Sequence, residues 1–262
     1  MAAGALITGA SGLLGTHMMR HWNYGQYEPI VVQHERDDLL IPGVPTALVK
    51  RHRPALVIHL AWAASGTPGY RSSSENDQWL SASLELQRAC ELEGAWLIAT
   101  GTSLDDVANS SDSYSRSKHQ LRRELNESIV AGRMTWIQPF YVIDVDWRRP
   151  ALVAESLAAR DLGSPVSLRD PESTHDFVLG SDVGRAIVNI VQFNLRGVVP
   201  IGSGESRPVR EVVEMLGTTW VQAMTSADPI ERPQNHAAAD IAPLRRINWS
   251  PDLTTSFFSR EG

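Results

Sequence analysis

Three glycines spaced three residues apart, Gly9, Gly12 and Gly15, separate an apolar segment from an amphipathic one near the start of the chain. The first segment, Ala5–Thr8, is typical of a buried strand, and the second, Leu13–Trp22, has helical spacing of apolar residues. In such a strand–loop–helix unit, the glycines allow a tight turn, close approach of the backbone to a pyrophosphate, and close packing of helix on strand. The helix N-terminus adds amide donors for the same anion. The loop therefore predicts dinucleotide binding.

Two other kinds of glycine-containing site are excluded by residue type. A P-loop ends in Gly-Lys-Ser/Thr, and no such triplet follows this loop. A nucleophile elbow requires Gly-x-Ser-x-Gly, which the sequence lacks. The predicted cofactor contacts of the loop are Gly9, Ser11, Gly12, Leu13, Leu14 and Gly15.

Strand-like and helix-like segments alternate along the first half of the chain. The predicted strands are Ala5–Thr8, Ile30–Val32, Ala55–Ile58, Trp96–Ala99 and Met134–Ile137, and the predicted helices are Leu13–Trp22, Thr46–Arg53, Glu75–Glu93 and Ser115–Val130. This alternation indicates βαβ units and an α/β fold with a Rossmann-like, doubly wound parallel sheet. After about Tyr141, helical segments alternate with Pro-, Gly- and Arg-rich loops. We expect a dinucleotide-binding domain over residues 1–141 and a smaller C-terminal substrate-binding lobe over residues 142–262, some of which returns to the sheet.

The end of the second predicted strand should contact the adenosine ribose of a dinucleotide. An NAD site usually places an acid there, whereas a 2′-phosphate calls for arginine. The sequence is Gln33-His34-Glu35-Arg36, in which His34 takes the usual acid position and Arg36 the place of a phosphate ligand. We therefore favour NADP(H) over NAD(H). Glu35 could instead bind the ribose hydroxyls, and solvated loop charges are a further alternative.

Tyr114 directly precedes the predicted helix Ser115–Val130, and Lys118 follows four residues later; on a helix, this spacing places both side chains on one face. A nearby ammonium favours the phenolate and so lowers the pKa of a tyrosine, which starts near 10. Such a pair occurs by chance on many exposed helices. Its significance here comes from the glycine loop and from Thr100, which ends the strand just upstream.

Composition and charge exclude several classes of protein. A formal net charge of -6 disfavours a nucleic-acid surface. Cys90 is the only cysteine, which excludes an internal disulfide or a cysteine-based zinc site and suits a reducing compartment. We expect no metal site, because His17 and His21 on the first helix have no acidic or cysteine partner. Without a basic, apolar leader or a membrane-length apolar run, the chain is expected to be cytoplasmic and not membrane-bound.

Together, these motifs resemble the extended short-chain dehydrogenase/reductase family, also called the NAD-dependent epimerase/dehydratase family. The resemblance covers nearly the whole chain. Val57–Ala61 is similar to the family's fourth-strand motif, and Gln138-Pro139-Phe140 is similar to its Arg-Pro-Phe segment. Further matches are His175–Val183, Ile201–Glu205 and Asn248–Pro251.

The resemblance implies specific roles for residues along the chain. Tyr114 donates a proton, Lys118 holds the nicotinamide ribose, and a third catalytic hydroxyl comes from Thr100, with Thr102 and Ser103 as alternatives. Further cofactor contacts are expected at Leu60, Ala61, Trp62 and Pro139, and substrate contacts at Thr102, His175 and Arg232. The family's usual arginine before Asp-Phe/Tyr is His175 here.

The resemblance further implies an NAD(P)-dependent enzyme. Family dehydratases carry Asp-Glu directly after the catalytic Thr, whereas Gly101-Thr102 follows Thr100 here. We therefore expect a ketoreductase acting on a nucleotide-linked 4-keto-6-deoxy sugar. A nucleotide-sugar epimerase, a reductase of a non-sugar carbonyl and a cofactor-binding sensor are the alternatives. A homodimer through the Glu75–Glu93 and Ser115–Val130 helices is also implied.

Overall fold

The computed structural model describes residues 3–23, 25–63, 69–103, 112–144, 152–223 and 236–252. The strands are Ala3–Thr8 (β1), Tyr27–Val31 (β2), Leu56–His59 (β3), Trp96–Thr100 (β4), Met134–Pro139 (β5), Tyr141–Ile143 (β6), Val166–Leu168 (β7), Thr174–Leu179 (β8), Gly197–Ile201 (β9), Ser206–Pro208 (β10) and Trp220–Gln222 (β11). The helices are Leu13–Arg20 (α1), Val44–His52 (α2), Glu75–Glu93 (α3), Ser113–Glu124 (α4), Asn126–Val130 (α5), Leu152–Asp161 (α6), Gly180–Gln192 (α7), Val209–Met215 (α8) and Ala242–Arg245 (α9).

The central sheet has six strands in the order β2-β1-β3-β4-β5-β9, and β1 to β5 pair in parallel. Every residue of β3 and β5 is buried, as expected for strands covered on both faces. Strand order reverses at β1, because β2 and β3 pair on its opposite sides. In open α/β sheets, ligands bind beyond the carboxyl ends of the strands at such a reversal. The predicted α/β Rossmann-like fold class is confirmed.

The chain divides into two compact units. The first comprises residues 1–139 and 184–199, and the second comprises residues 140–183 and 200–262. In the first unit, strand residues such as Leu6, Val57 and Trp136 pack with the helix residues Leu86 and Leu121 in one buried cluster. Burying a large apolar side chain stabilises a fold by about 1.5–3 kcal/mol. This cluster therefore fixes the strand ends that carry the residues considered below.

The second unit has two small sheets, β10-β8-β6 and β11-β7. Ile143, Phe177 and Leu179 of the larger sheet pack against Val153 of α6 and Val212 of α8. Among the residues that the structure describes, no helix is both long enough and sufficiently apolar to cross a membrane.

The predicted helix Ser115–Val130 is divided in the structure. The segment Ser115–Val130 forms two consecutive helices, α4 and α5, which meet at Leu125. Leu125 keeps helical backbone angles, and its amide donates to the carbonyl of Leu121. Tyr114 and Lys118 both lie on α4, upstream of this junction.

Candidate active site

The glycine loop after β1 is lined by backbone. Gly9 has φ = 72°, and a Cβ there would lie 2.6 Å from the amide nitrogen of Ala61. A Cβ on Gly15 would meet the carbonyl oxygen of Gly9 and lie 2.6 Å from Cα of Ala10. The amide of Gly12 donates to the carbonyl of Gly9 at 3.0 Å, and Gly12 is the N-cap of α1. This cradle, which larger side chains would fill, fits the pyrophosphate of a dinucleotide. The other predicted contacts are exposed (Ser11) or half-buried (Leu13 and Leu14).

Two arginines, one after β2 and one on α2, surround the carboxylate of Asp37. His34, Glu35 and Arg36 are exposed, whereas Asp37 is only 6% exposed. Oδ2 of Asp37 accepts from Nε of Arg36 at 2.9 Å, and Oδ1 accepts from Nη2 of Arg51 at 2.7 Å. The bond from Arg51, followed by that from Arg36, holds the pKa of Asp37 below its usual value. Both carboxylate oxygens are therefore engaged, and the cluster of Arg36, Asp37 and Arg51 carries a net positive charge.

Of this cluster, only Arg36 was predicted from the sequence. Asp37 directly follows Arg36 and could have been noticed as its partner. Arg51 lies on α2, 14 residues away from Asp37, and no sequence pattern connects the two.

A hydrogen-bonded chain joins the ends of β1 and β3 beneath the loop. Thr8 and His59 are register partners, and Oγ1 of Thr8 lies 2.7 Å from Nδ1 of His59. Nε2 of His59 lies 2.9 Å from Oγ of Ser83, whose own hydroxyl donates to the carbonyl of Trp79. Because a hydroxyl has one proton, Ser83 accepts from Nε2–H and Thr8 donates to Nδ1. Burial, and secondarily the charge of Lys118, lowers the pKa of His59 to about 3, so its ring is neutral at pH 7.

This chain of bonds sets the position of the backbone that follows β3. Oγ1 of Thr8 also accepts from the amide of Ala61 at 3.3 Å, and the amide of Leu60 donates to the carbonyl of Thr8. Leu60 and Ala61, two predicted cofactor contacts, are therefore fixed directly beside Gly9. Pro139, another predicted contact, ends β5 and is buried, and its carbonyl accepts from the amide of Ser103.

The structure brings together Thr100, Lys118 and Tyr114. Nζ of Lys118 donates to the carbonyl oxygen of Thr100 at 2.8 Å and lies 6.0 Å from the ring centroid of Tyr114. Lys118 is only 3% exposed, so its ammonium is held inside the first unit. The hydroxyl of Thr100 donates to the carbonyl of His59 at 3.0 Å. That bond uses its single proton, whereas Thr102 lies two residues beyond the strand end and is half-buried.

The first turn of α4 fixes the backbone of Tyr114. Asp112 caps the helix, because its carboxylate accepts from the amide of Ser115 at 2.8 Å and from the Ser115 hydroxyl at 3.0 Å. Ser113 donates to the carbonyl of Ser73 at 3.0 Å. A capping interaction of this type typically stabilises a helix by about 1 kcal/mol. Tyr114 therefore lies in an anchored turn, and its ring meets that of Tyr70 edge to face at 5.2 Å.

Trp62 contacts both members of the Tyr–Lys pair. Its ring centroid lies 3.6 Å from Nζ of Lys118 and 6.3 Å from that of Tyr114. Its Nε1 donates to Oδ1 of Asn76 at 2.9 Å. Nδ2 of Asn76 donates in turn to the carbonyls of Tyr70 and Ser73. Trp62 was predicted from the sequence as a cofactor contact, whereas Asn76 was not, because a single buried amide has no sequence signature.

His175 lies in an aromatic cluster of the second unit. Its ring stacks on that of His236 at 4.8 Å and lies 5.0 Å from the ring of Tyr141. Nε2 of His175 is 3.1 Å from the hydroxyl of Ser173. Burial, followed by repulsion from His236, lowers the pKa of His175 to about 4, so the ring is neutral at pH 7. Tyr141, Ser173 and His175 line a cavity of about 310 Å³. Arg232, the other predicted substrate contact, is outside the described residues.

Asp176, which follows His175 in the motif, is a structural residue within the second unit. Its Oδ1 accepts from the amide and hydroxyl of Ser203, both at 2.6 Å. Its Oδ2 accepts from the amides of Gly204 and Ala239, both at 2.9 Å. Four donors satisfy this buried carboxylate, so it connects β8 to two distant loops. No group of three His, Cys, Asp or Glu side chains that could hold a metal ion is found among the described residues.

Solved structures of three other proteins share the fold of this chain. The dTDP-4-dehydrorhamnose reductase from Bacillus anthracis str. Ames, in complex with NADP, has 15% sequence identity and a TM-score of 0.77, over 99% of this chain and 97% of that chain. The GDP-mannoheptose C4 reductase from Campylobacter jejuni, with NADP bound, has 12% identity and a TM-score of 0.76, over 99% and 98% of the two chains. The UDP-glucose 4-epimerase from Thermus thermophilus, in complex with NAD, has 20% identity and a TM-score of 0.73, over 97% and 98%.

At these identities, the structural likeness establishes the fold alone. No curated protein sequence matches the chain. The family model described as "NAD dependent epimerase/dehydratase family" matches residues 5–202, which is most of the sequence and includes the glycine loop, Thr100, Tyr114 and Lys118. The chain therefore belongs to the NAD-dependent epimerase/dehydratase family.

Proposed function

We propose that the protein is an NADPH-dependent ketoreductase that reduces the carbonyl group of a nucleotide-linked 4-keto-6-deoxy sugar. The position of Lys118 is the observation that carries this proposal. Its ammonium is buried, bonded to the carbonyl at the end of β4 and adjacent to Tyr114. A protein that only binds a cofactor has no need of a buried cation beside a phenol. The two solved reductases named above, which bind NADP, have the same fold.

In the proposed reaction, Tyr114 acts as the acid. A bound nicotinamide supplies the hydride that the carbonyl carbon gains. Tyr114 gives its phenolic proton to the carbonyl oxygen, so an alcohol forms and a phenolate remains. The Lys118 ammonium stabilises that phenolate through its charge. Positioned proton transfer of this kind contributes about 10²–10⁴-fold to rate.

In this proposal, the hydroxyl that supports the same oxygen comes from Thr102 or Ser103, in the segment that follows β4. Thr100 already donates its proton to the carbonyl of His59, and its own carbonyl accepts from Lys118. Thr100 is then a positioning residue. Thr102 or Ser103, two or three residues further on, provides the hydrogen bond to the developing alkoxide, a contact typically worth about 10²–10³-fold.

A reductase of a non-sugar carbonyl is a second candidate, which is favoured by the lack of charge on His175 at pH 7. The family's arginine at this position would hold the substrate diphosphate, but a neutral imidazole carries no charge to replace it. Because the pKa of His175 is low, the imidazole stays uncharged at physiological pH, where an arginine would be charged. Substrate contacts by His175 and Arg232 therefore remain predictions of the family resemblance.

The function is tested by mixing the purified protein with NADPH and a panel of carbonyl substrates. Loss of NADPH absorbance in step with the loss of a 4-keto-6-deoxy nucleotide sugar is the expected result. Turnover of only free carbonyl compounds supports the second candidate. Isomerisation of nucleotide sugars without net cofactor change points to an epimerase instead, and binding of NADPH without turnover of any carbonyl contradicts both reductase proposals.

The preference for NADPH is inferred from the cluster of Arg36, Asp37 and Arg51. Asp37 is buried and each of its oxygens accepts from an arginine, so its charge is compensated within the cluster. Among the described residues, no side chain bonds the terminal guanidinium nitrogens of Arg36, which is exposed. Guanidinium groups suit a 2′-phosphate because they present several donors in a planar fork.

Replacing Arg36 or Arg51 by Leu is expected to weaken NADPH binding by about 10–100-fold, the effect of losing a hydrogen bond to a charged group. NADH binding should change less than about 3-fold, because NADH lacks the 2′-phosphate. Both affinities are measured by fluorescence titration of the purified variants. Arg246→Leu removes an exposed arginine of the second unit and should leave both affinities unchanged. An equal loss for NADPH and NADH in the Arg36 and Arg51 variants would refute the assignment.

The expected homodimer through α3 and α4 and the cytoplasmic location also remain proposals. Cys90 lies on α3, and burial raises the pKa of its thiol to about 12. It is therefore a neutral packing group within the first unit and carries no part of the proposed chemistry.

A further inference from the structure

The buried ammonium of Lys118 has an unusual partner. Burying an ammonium is costly unless other groups compensate for its lost hydration. The carbonyl of Thr100 accepts one hydrogen bond from Nζ. The indole of Trp62 covers the same nitrogen, whose distance from the ring centroid is 3.6 Å. Trp is the side chain whose ring face attracts cations most strongly, and the attraction increases when the pair is desolvated.

The indole is itself fixed in place. Its Nε1 donates to Asn76, which is 1% exposed. Its ring stacks on that of Trp79 at 6.2 Å with an interplanar angle of 26°. Asn76 is held in turn, because its Nδ2 shares its two protons among the backbone carbonyls of Tyr70 and Ser73 and the hydroxyl of Ser113. The ring face toward Lys118 therefore has a defined orientation.

We propose that Trp62 is a positioning residue whose indole face holds the Lys118 ammonium beside Tyr114. Lys118 is then already in place before a cofactor binds. The proposal rests on the proposed function for the statement that Lys118 serves the cofactor and Tyr114. The contact between the Lys118 ammonium and the Trp62 indole face does not depend on any ligand. A side chain at position 62 with a smaller aromatic face should hold the ammonium less well, and an aliphatic one should leave only the bond to the Thr100 carbonyl of these two contacts.

Lysine occurs at only two positions of the sequence, Lys50 and Lys118. Protein labelled with ¹³C at lysine Cε therefore gives two side-chain signals by NMR, and the signal of the exposed Lys50 is an internal reference. The ring current of Trp62 should displace the Lys118 signal upfield of the Lys50 signal. Trp62→Leu is expected to abolish most of this displacement, and Trp62→Phe should give an intermediate position. An unchanged Lys118 signal in Trp62→Leu would overturn the proposal. If that variant does not fold, an unchanged signal in Trp62→Phe does so.

Trp96→Phe is the matched control. The Trp96 ring lies 3.9 Å from Cζ of Arg196, and its Nε1 donates to Thr135 at 3.1 Å. The control therefore removes an indole N–H bond and part of a ring face over a cation elsewhere in the first unit. Trp96→Phe should lower the midpoint of thermal unfolding about as much as Trp62→Phe does, but the chemical shift of the Lys118 signal should not change. A Lys118 signal that moves equally in both variants would mean that general loosening, and not the Trp62 face, is responsible.

NADPH titration of the same samples separates this proposal from the proposed function. Trp62→Leu is expected to weaken NADPH binding by about 10-fold, the size of one cation–π contact, whereas Trp96→Phe should not. Wild-type protein that fails to bind NADPH contradicts the proposed function, while the NMR series still decides whether Trp62 holds Lys118. Equal NADPH affinity in wild-type and Trp62→Leu protein would overturn the positioning role.

Discussion

Replacing Tyr114 by Phe is expected to lower turnover by about 10²–10⁴-fold while NADPH affinity stays within about 3-fold of wild type. The variant loses the phenolic hydroxyl, whose proton the carbonyl oxygen would receive. The ring remains, so its edge-to-face contacts with Tyr70 and Trp62 are kept. The measurement is steady-state oxidation of NADPH with the best substrate of the carbonyl panel, together with cofactor titration of the same preparation.

Tyr70→Phe is the control for this substitution. Tyr70 packs against the ring of Tyr114 and has no proton-transfer role in the proposal. Its variant should keep turnover within about 5-fold of wild type, a range smaller than the effect of losing a general acid. Full activity in Tyr114→Phe, or an equal loss in both variants, would show that Tyr114 is not the proton donor.

Gly15→Ala is expected to destabilise the protein by about 3 kcal/mol or more, at the upper end of the cost of overpacking. The added Cβ would meet the carbonyl oxygen of Gly9 and lie 2.6 Å from Cα and 2.7 Å from C of Ala10. All three are backbone atoms, which cannot rotate away as a side chain would, so α1 would have to move from β1. Urea denaturation monitored by circular dichroism measures the free energy of unfolding.

Gly12→Ala separates the fold from the predicted pyrophosphate site. Its Cβ would approach only the carbonyl oxygen of Gly9, at 3.2 Å, and its φ of -74° suits any residue. We expect a loss of stability below about 1 kcal/mol, the scale of an unfavourable N-cap. NADPH binding should nevertheless fall by at least about 10-fold, because the methyl group prevents close approach of the backbone. Equal stability of Gly15→Ala and wild type would contradict the packing role, and unimpaired NADPH binding by Gly12→Ala would contradict the site.

The family and the fold class were predictable because their signals are local in the sequence. The spacing of Gly9, Gly12 and Gly15 encodes a strand–loop–helix unit within a few residues. The spacing of Tyr114 and Lys118 is one helical turn, and the alternation of strand and helix patterns predicts a parallel sheet. Each of these depends only on backbone geometry and the period of the side chains, which is why they could be interpreted without coordinates.

The partners of those residues could not be predicted in the same way. Lys118 lies on the face of Trp62, the hydroxyl of Thr100 bonds the backbone of His59, and Arg51 joins Arg36 on Asp37. Each contact joins residues that are far apart in the sequence, and each depends on which strand ends and helix faces the topology makes adjacent.

The sequence by itself thus determined the backbone elements of the site: the glycine loop, the helix that carries Tyr114 and Lys118, and the strand that ends at Thr100. Only the tertiary structure decided the electrostatic state of its side chains. Neutral His175 beside His236, neutral His59 inside the sheet and the covered ammonium of Lys118 all result from burial and from neighbours on other elements. The reason is that desolvation and charge interactions depend on distance in space, whereas sequence patterns specify distance along the chain.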